Sequence, residues 1–282
     1  MHWYPAPAKL NLFLHVVGRR VDGYHELQTV FRILDFGDRL AFSVRSDGAV
    51  LRSRELPGIP EETDVTLRAA RLLKERTGCT LGADIVIDKR IPIGGGLGGG
   101  SSDAATTLLV LNRLWRLDLS AGELLQLGLQ LGADVPIFIF GCNAFAEGIG
   151  EVLTPIALPG AWYVVLCPPV EVPTRLVFAD PELTRNTNRI KMSAFFAGAV
   201  NNDLEPVVCR LFPVVRKHLD WLQQQAPARL TGSGACVFAS FDDESAARRV
   251  FARKPPDMQG FVARGLEQHP LRGMILGSSQ VG

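Results

Sequence analysis

Little in this sequence points to a membrane, a disulfide scaffold or a metal centre. The five cysteines are scattered, odd in number and form no Cys-x-x-Cys pair, which favours reduced thiols over a disulfide framework. The five histidines form no His-Glu-x-x-His motif, so we expect no zinc site. No apolar run reaches the roughly 18–20 residues of a membrane span, and the N-terminus lacks the layout of a signal peptide. These absences predict a cytoplasmic protein with no membrane partner.

The chain also has no marked excess of positive or negative charge. The chain has 30 lysine and arginine residues against 29 aspartate and glutamate residues, a formal net charge of +1. No strong field therefore draws it to nucleic acid, and we expect no nucleic-acid partner. Hydrophobic residues make up 47% of the 282 residues and charged residues 21%, which is a globular composition. The length allows one large domain or two lobes of ordinary size.

Strand and helix patterns alternate irregularly along the chain, which predicts an α+β fold with two lobes. Residues 9–17 and 84–88 have strand patterns, and the pattern over 30–44 is interrupted by Asp-Phe-Gly-Asp at 35–38. Apolar residues recur at helical spacing over 101–115. The Pro- and Gly-containing stretch 155–160 is a plausible lobe boundary.

The most informative segment is a glycine-rich run between the strand at 84–88 and the helix at 101–115. Glycine tolerates positive φ and allows close backbone approach to a ligand. A helix N-terminus offers unpaired N–H groups and a positive dipole end, so the run predicts an anion site, most simply for phosphate. Its candidate ligand-binding residues are Pro92, Gly94, Gly95, Gly96, Leu97, Gly98, Gly99, Gly100, Ser101 and Ser102.

Several interpretations of this run compete. A P-loop needs a lysine before the serine, and Gly100 stands there instead, so the P-loop is excluded. A dinucleotide fold needs the motif Gly-x-Gly-x-x-Gly followed about 20 residues later by an acidic residue. Gly94, Gly96 and Gly99 satisfy the motif, and Asp118 is the acidic residue. Asp118 lies between two helical patterns rather than at the end of a strand, so this match is weak. A turn without a ligand also stays open.

Motifs in three separate parts of the chain resemble those of the GHMP kinase family. The run resembles that family's lysine-free phosphate loop, Pro-x-x-x-Gly-Leu-Gly-x-x-Ser-Ser. Pro7, Lys9 and Asn11 fit its N-terminal Pro-x-Lys-x-Asn strand. The late turn formed by Gly232, Ser233 and Gly234 fits its Gly-Ser/Thr-Gly turn.

The resemblance implies a kinase that takes ATP with Mg²⁺ and phosphorylates a small alcohol. It implies an N-terminal ATP-binding lobe of the ribosomal-S5 type at 1–155 and a ferredoxin-like C-terminal lobe at 156–282. It also implies that Asp134, in Gly-Ala-Asp-Val-Pro, is the base for the acceptor hydroxyl. Lys9 would be the cation beside that base, and Asn11 would orient the acceptor. From the residues alone, Asp134 is equally well a helix N-cap and Lys9 a snorkelling edge lysine.

The segment Asp-Gly-Tyr-His at 22–25 resembles the corresponding segment of those GHMP kinases that phosphorylate the 2-hydroxyl of cytidine-diphosphate methylerythritol. The resemblance then implies that Tyr24 and Phe178 stack the cytosine and that His25 bonds its edge. Thr174 and Lys89 would also contact substrate, and the turn at 232–234 would close against the phosphate loop. From pattern alone Phe178 is equally well a core residue, and Lys89 a surface lysine.

The metal ligands, the adenine contact and the exact function stay open at this point. Metal ligands are not assigned, and the adenine contact is in doubt because Asp64 stands where the resemblance suggests asparagine. We expect a monomer or a weak homodimer. The alternatives in function are a GHMP kinase for another alcohol, a non-catalytic nucleotide sensor and a dinucleotide-dependent oxidoreductase.

Overall fold

The computed structural model describes residues 2–198 and 200–275, and its first half is built on a six-stranded sheet. The sheet has the order β3-β4-β2-β5-β6, with β1 paired along the other side of β2. Its strands are β1 (Trp3–Arg19), β2 (His25–Arg45), β3 (Val50–Arg52), β4 (Gly82–Asp88), β5 (Ala144–Glu147) and β6 (Val152–Pro155).

β1 and β2 form a long antiparallel hairpin whose pairing shifts beside Lys9. Pro7 pairs with Gly37 and Lys9 pairs with Ile33, so two steps along β1 correspond to four along β2. The break predicted at 35–38 is therefore wrong: β2 runs through these residues, and the surplus forms a bulge. Bulges redirect the backbone near functional sites, and this one lies where the predicted cation is.

Helices cover one face of this sheet: α1 (Val65–Thr77), α2 (Gly99–Leu114), α3 (Ala121–Leu131) and α4 (Val135–Phe140). α2 contacts the other three helices as well as β1 and β2, and residues such as Leu108 and Leu111 are fully buried. Each such side chain contributes roughly 1.5–3 kcal/mol by its burial. α2 begins at Gly99, earlier than the predicted 101, because Gly98 in the left-handed conformation (φ 71°) leads directly into the first turn.

The second half contains a four-stranded antiparallel sheet in the order β10-β7-β9-β8. Its strands are β7 (Trp162–Cys167), β8 (Ala228–Leu230), β9 (Val237–Phe241) and β10 (Gln259–Arg264). Four helices connect β7 to β8: α5 (Thr174–Ala179), α6 (Met192–Phe196), α7 (Glu205–Leu211) and α8 (Pro213–Gln223). α9 (Glu244–Ala252) joins β9 to β10. This β-α-β-β-α-β order is the ferredoxin-like arrangement, as the resemblance implied.

The chain changes sheet between Pro155 and Trp162, and on this ground we propose lobes at 1–155 and 156–282, whose last residues, 276–282, lie outside the described part. The halves interlock. Leu14 and Val16 of β1 lie in the apolar cluster of the second half, and the short helix α10 (Arg272–Ile275) contacts α2. None of the helices in the described ranges is long and apolar enough to cross a membrane.

Candidate active site

The predicted base and cation lie together at the junction of the two halves, although 125 positions separate them in the chain. The Nζ of Lys9, whose side chain is 2% exposed, lies 3.1 Å from Oδ2 of Asp134, which is 36% exposed. Lys9 also donates to Oδ1 of Asn11 at 2.5 Å and to the carbonyl of Gly96 at 3.1 Å. Asp134 precedes α4 but its side chain makes no capping hydrogen bond. The carboxylate is therefore held by the lysine and remains open to the pocket.

Backbone hydrogen bonds hold the glycine-rich loop between β1 and the late turn of the second half. The N–H of Lys9 donates to the carbonyl of Leu97 at 2.9 Å. The carbonyls of Gly94 and Gly95 each accept a bond at 3.1 Å from the N–H of Ala235 and Cys236, respectively. The loop thus bridges both sheets, and its position is set by segments far away in sequence.

Two glycines of the loop are required by their geometry. Gly96 has φ 73°, and a Cβ there would lie 2.3 Å from the carbonyl oxygen of Thr231. Gly98 has φ 71°, and a Cβ there would lie 3.0 Å from Cε of Lys9. Any larger residue would push the loop away from Lys9 or from the late turn. These two positions show why the run is rich in glycine.

Two cavities meet at Ser101, which lines both. The larger, of about 720 Å³, contains Lys9, Asn11 and Asp134, and we call it the acceptor pocket. The smaller, of about 420 Å³, we call the loop pocket. It is lined by all but two of the loop's predicted residues: Pro92, Gly94, Gly95, Leu97, Gly98, Gly99, Gly100 and Ser101. Phosphate held by the loop would therefore adjoin an alcohol held beside Asp134.

The two remaining loop residues lie elsewhere. Gly96 lines the acceptor pocket instead of the loop pocket. Ser102 is fully buried, and its hydroxyl has no hydrogen-bond partner among the described residues. Its N–H donates to the carbonyl of Gly98 inside the helix. Ser102 therefore faces the interior, because successive residues of a helix point about 100° apart and only Ser101 faces the ligand side.

At the far end of the acceptor pocket lie Tyr24, His25 and Phe178. The His25 ring stacks on Phe178, with centroids 4.9 Å apart and planes 27° apart, and Tyr24 is 60% exposed. Partial burial lowers the pKa of His25, and the positive charges of Arg185 and Arg19 lower it further. The lowered pKa favours the neutral ring, which is flat and backed by an aromatic wall, and this suits a planar base.

The other predicted substrate contacts are arranged around the pocket wall. Oδ1 of Asn11 accepts from Lys9, and Nδ2 of Asn11 donates to Oγ1 of Thr29 at 3.0 Å. The hydroxyls of Thr174 and Ser233 lie 2.7 Å apart, and both residues line the acceptor pocket. Gly232 also lines the pocket, whereas Gly234 is buried behind the turn.

Lys89 lies in the loop pocket and not in the acceptor pocket. Its Nζ is 2.5 Å from Oδ2 of Asp38 and 2.8 Å from Oδ2 of Asp103. Burial raises the pKa of the Asp103 carboxyl, while the charge of Lys89 opposes that rise and favours the ionised form. Burial alone would lower the pKa of Lys89, but the two carboxylates outweigh it and the pKa is raised. The cation is thus held by the protein's own carboxylates.

Asp64, where the resemblance suggests an asparagine, lines the loop pocket but is already fully engaged. Its Oδ1 accepts from the N–H and hydroxyl of Thr66, and its Oδ2 lies 2.8 Å from Nη1 of Arg52. Both partners of this ion pair are at most 5% exposed. The positive charge of Arg52 thus compensates the negative charge of the buried Asp64 carboxylate.

The sequence argument missed three residues. Arg19 and Arg175 are exposed and line the acceptor pocket. Thr231 is buried, and its hydroxyl accepts from the N–H of Asn11 at 3.0 Å. Thr231 directly precedes the Gly232 turn, so the motif itself was a signal for it. The two arginines carry no motif, and only the tertiary fold brings the end of β1 and the start of α5 to one pocket.

Comparisons with known proteins agree with this geometry. A model of the GHMP kinases N terminal domain matches residues 64–142, and one of the GHMP kinases C terminal matches residues 183–253. The 4-diphosphocytidyl-2-C-methyl-D-erythritol kinase of Aromatoleum aromaticum is 60% identical over 271 residues, covering 96% of this chain and 95% of that protein. The chain belongs to the GHMP kinase family. It is therefore an ATP-dependent kinase, with ATP as its phosphate donor.

A second relative and a solved structure show the same similarity over nearly the whole chain. The enzyme of the same name from Thiobacillus denitrificans is 61% identical, covering 96% of this chain and 98% of that protein. A crystal structure of 4-(cytidine 5'-diphospho)-2C-methyl-D-erythritol kinase superposes with a TM-score of 0.81 at 35% identity. It covers 94% of this chain and 99% of that chain. The two-lobed α+β fold of a GHMP kinase is thereby confirmed.

The dinucleotide interpretation is wrong for this GHMP kinase. β4 leads into the loop, but α2 is followed by α3 and not by a second strand. Asp118 lies in the connection between these helices, with φ 53°. A dinucleotide fold requires that acid at the end of the next parallel strand.

Proposed function

We propose that this kinase transfers the γ-phosphate of ATP to the 2-hydroxyl of 4-diphosphocytidyl-2-C-methyl-D-erythritol, in the non-mevalonate route to isoprenoid precursors. The observation that carries the proposal is the Lys9–Asp134 pair at the junction of the loop pocket and a pocket with a base-sized aromatic end. The names of relatives about 60% identical over nearly the whole chain support it.

In this proposal the acceptor hydroxyl lies beside Asp134. The carboxylate accepts the hydroxyl proton as the oxygen attacks the γ-phosphorus, and Lys9 stabilises the charge that develops on that oxygen. Asn11 and the carbonyl of Gly96 fix the Lys9 ammonium through the bonds described above. Positioning of this kind supplies much of the rate in phosphoryl transfer.

We propose that Mg²⁺ arrives with the nucleotide. Among residues 2–198 and 200–275 no group of three or more His, Cys, Asp or Glu side chains could hold a metal ion. A hydroxyl such as that of Ser101, together with phosphate oxygens, is a donor set that suits Mg²⁺. When bound, the ion neutralises charge on the phosphates.

The diphosphate of the acceptor would lie between the base end of the pocket and Asp134. Arg19 and Arg175 line that pocket, and neither appears in an ion pair within the described part of the chain. By contrast, Arg189 and Arg210 are paired with carboxylates. We propose that Arg19 and Arg175 bind the diphosphate, since guanidinium groups match phosphate geometry.

Phosphotransfer assays on the purified protein test the function directly. With ATP, we expect 4-diphosphocytidyl-2-C-methyl-D-erythritol to be turned over far faster than mevalonate, homoserine or galactose. Mass spectrometry of the product should place the phosphate on the 2-hydroxyl. Preference for one of the other alcohols would identify a GHMP kinase of different specificity, and absence of ATP turnover with every acceptor would identify a nucleotide sensor.

Replacing Tyr24 with alanine should raise the KM for the cytidine-bearing acceptor roughly tenfold, because stacking on an aromatic ring contributes about 1–3 kcal/mol per base. The KM for ATP should not change, since Tyr24 does not line the loop pocket. Val21→Ala is the matched control, because Val21 is exposed in the same turn and lies outside the pocket lining. An equal loss of affinity for both substrates would contradict the base-stacking role.

Replacing Arg175 with glutamine should raise the KM for the acceptor about five- to tenfold, with a weaker effect at high salt. The same change should leave the KM for 2-C-methyl-D-erythritol alone, which has no diphosphate, unaltered. Arg253→Gln, at an exposed position outside both pockets, is the control for loss of a surface charge. A similar rise with both acceptors would show that Arg175 does not bind the diphosphate.

We further propose that the enzyme is cytoplasmic and acts as a monomer or a weak homodimer. The five cysteines are all free, as expected in a reducing compartment. The Lys9–Asp134 pair forms within a single chain, which supports a catalytic unit of one copy.

A further inference from the structure

One guanidinium group connects three parts of the base end of the acceptor pocket. Arg185 follows α5, and its Nη2 donates to the carbonyls of Phe178 at 2.9 Å and Asp180 at 2.6 Å. Its Nη1 donates to the carbonyl of Leu183 at 3.0 Å, and its Nε donates to Nε2 of His25 at 3.1 Å. Every nitrogen of the group is engaged, and all of the partners belong to the pocket wall or its support.

The bond to His25 has only one assignment. Arginine carries donors and no acceptor, so Nε2 of His25 must accept. A neutral imidazole that accepts at Nε2 carries its proton on Nδ1. The ring is further fixed by stacking on Phe178, whose own carbonyl is bound by the same guanidinium.

We propose that Arg185 is a positioning residue of the base site, which holds His25 as the Nδ1–H tautomer so that the pocket presents a hydrogen-bond donor to the base. This rests on the proposed function, in which the base is cytosine. Its edge carries two acceptors, the carbonyl oxygen O2 and the ring nitrogen N3, and a histidine donor matches either. Arg185 reaches the ligand only through His25 and Phe178.

The charged groups around His25 favour the same state. Arg185 faces it from the segment after α5 and Arg19 from β1, while Asp22 lines the same pocket in the turn before β2. Asp180, at the end of α5, is paired with Arg210 at 2.6 Å. Burial and then the two arginines lower the pKa of His25. As the pH falls through that lowered pKa, the second proton binds to Nε2, because Nδ1 is already protonated. The new N–H then faces the N–H of Arg185, and the two donors repel each other.

The tautomer is measured directly by ¹⁵N-histidine NMR on the full chain without substrate, between about pH 5 and pH 8. His25→Asn assigns the signal among the five histidines. We expect the Nδ1–H form in the wild-type protein, with a pKa below the ordinary value. In Arg185→Gln we expect a higher pKa and a shift toward Nε2–H. The matched control is Arg210→Gln, because Arg210 binds Asp180 and Glu182 of the same segment but does not touch His25.

Kinetics supply the second readout. Arg185→Gln should raise the KM for the cytidine-bearing acceptor about tenfold, the effect of one lost hydrogen bond, and should leave kcat and the KM for ATP nearly unchanged. Arg210→Gln should leave all of them near wild type. Equal effects in both variants would show that Arg185 only stabilises the segment after α5, and this would overturn the proposal.

The wild-type spectrum decides the matter even if Arg185→Gln does not fold, since an Nε2–H tautomer of His25 would overturn the proposal by itself. These spectra do not depend on the proposed substrate. Failure of the wild-type enzyme to phosphorylate the cytidine-bearing acceptor would overturn the proposed function and leave the tautomer assignment standing.

Discussion

Replacing Asp134 with asparagine should lower kcat by about 10²–10⁴-fold, the usual contribution of a general base. The amide has the same shape but cannot accept the proton of the acceptor hydroxyl. Folding should be unaffected, because the side chain caps no helix and is 36% exposed. The measurement is steady-state turnover with ATP and the cytidine-bearing acceptor, together with thermal unfolding of both proteins.

The matched control for this change is Asp118→Asn. Asp118 is exposed in the connection between α2 and α3, and asparagine tolerates its left-handed conformation equally well. The control removes the same charge and should keep full activity. Near-normal turnover in a folded Asp134→Asn enzyme would show that the base assignment is wrong.

Replacing Gly96 with alanine should destabilise the protein by about 2–5 kcal/mol and lower kcat/KM a hundredfold or more. About 1–2 kcal/mol of this comes from forcing a side chain into the left-handed region. A further 1–3 kcal/mol or so comes from overpacking, since the Cβ would lie 2.3 Å from the carbonyl oxygen of Thr231. The activity loss follows because Gly96 also accepts from Lys9, and a misplacement of about 1 Å can cost a hundredfold in rate.

Gly100 provides the control within the same loop. A Cβ there would meet only a methyl of Val65 at 3.6 Å, and the residue lies in the first turn of α2. Gly100→Ala should therefore unfold at the same temperature as wild type or slightly higher, because alanine favours helix. Equal destabilisation of both variants in thermal melts would refute the steric argument for Gly96.

Local patterns in the sequence were sufficient to single out the glycine-rich loop and the pair Lys9 and Asp134. The glycine run has a shape that its own residues dictate, since positive φ at Gly96 and Gly98 is available at little cost only to glycine. Lys9 and Asp134 were found through motifs, and the structure brings them within 3.1 Å. The strand break at 35–38 was wrong because a bulge absorbs those residues inside a continuous strand.

Other features had no local signal. The role of Ser102 depends on which side of α2 faces the core, and burial turns its hydroxyl inward. The ion pairs of Lys89 depend on Asp38, which is 51 positions away in the chain. Arg185 is one arginine among many until the fold places it against His25, 160 positions away.

The sequence by itself determined the family, the glycine-rich loop and the candidate residues of the site, because motif spacing and backbone preferences act over a few neighbouring residues. Only the tertiary structure decided which polar groups are engaged and which remain open to a ligand. Hydrogen bonds and ion pairs act over about 3 Å, and partners that are distant in sequence come that close only when the two sheets pack together. His25 is the clearest case, since the arginine that donates to its Nε2 lies 160 positions away and no motif connects the two.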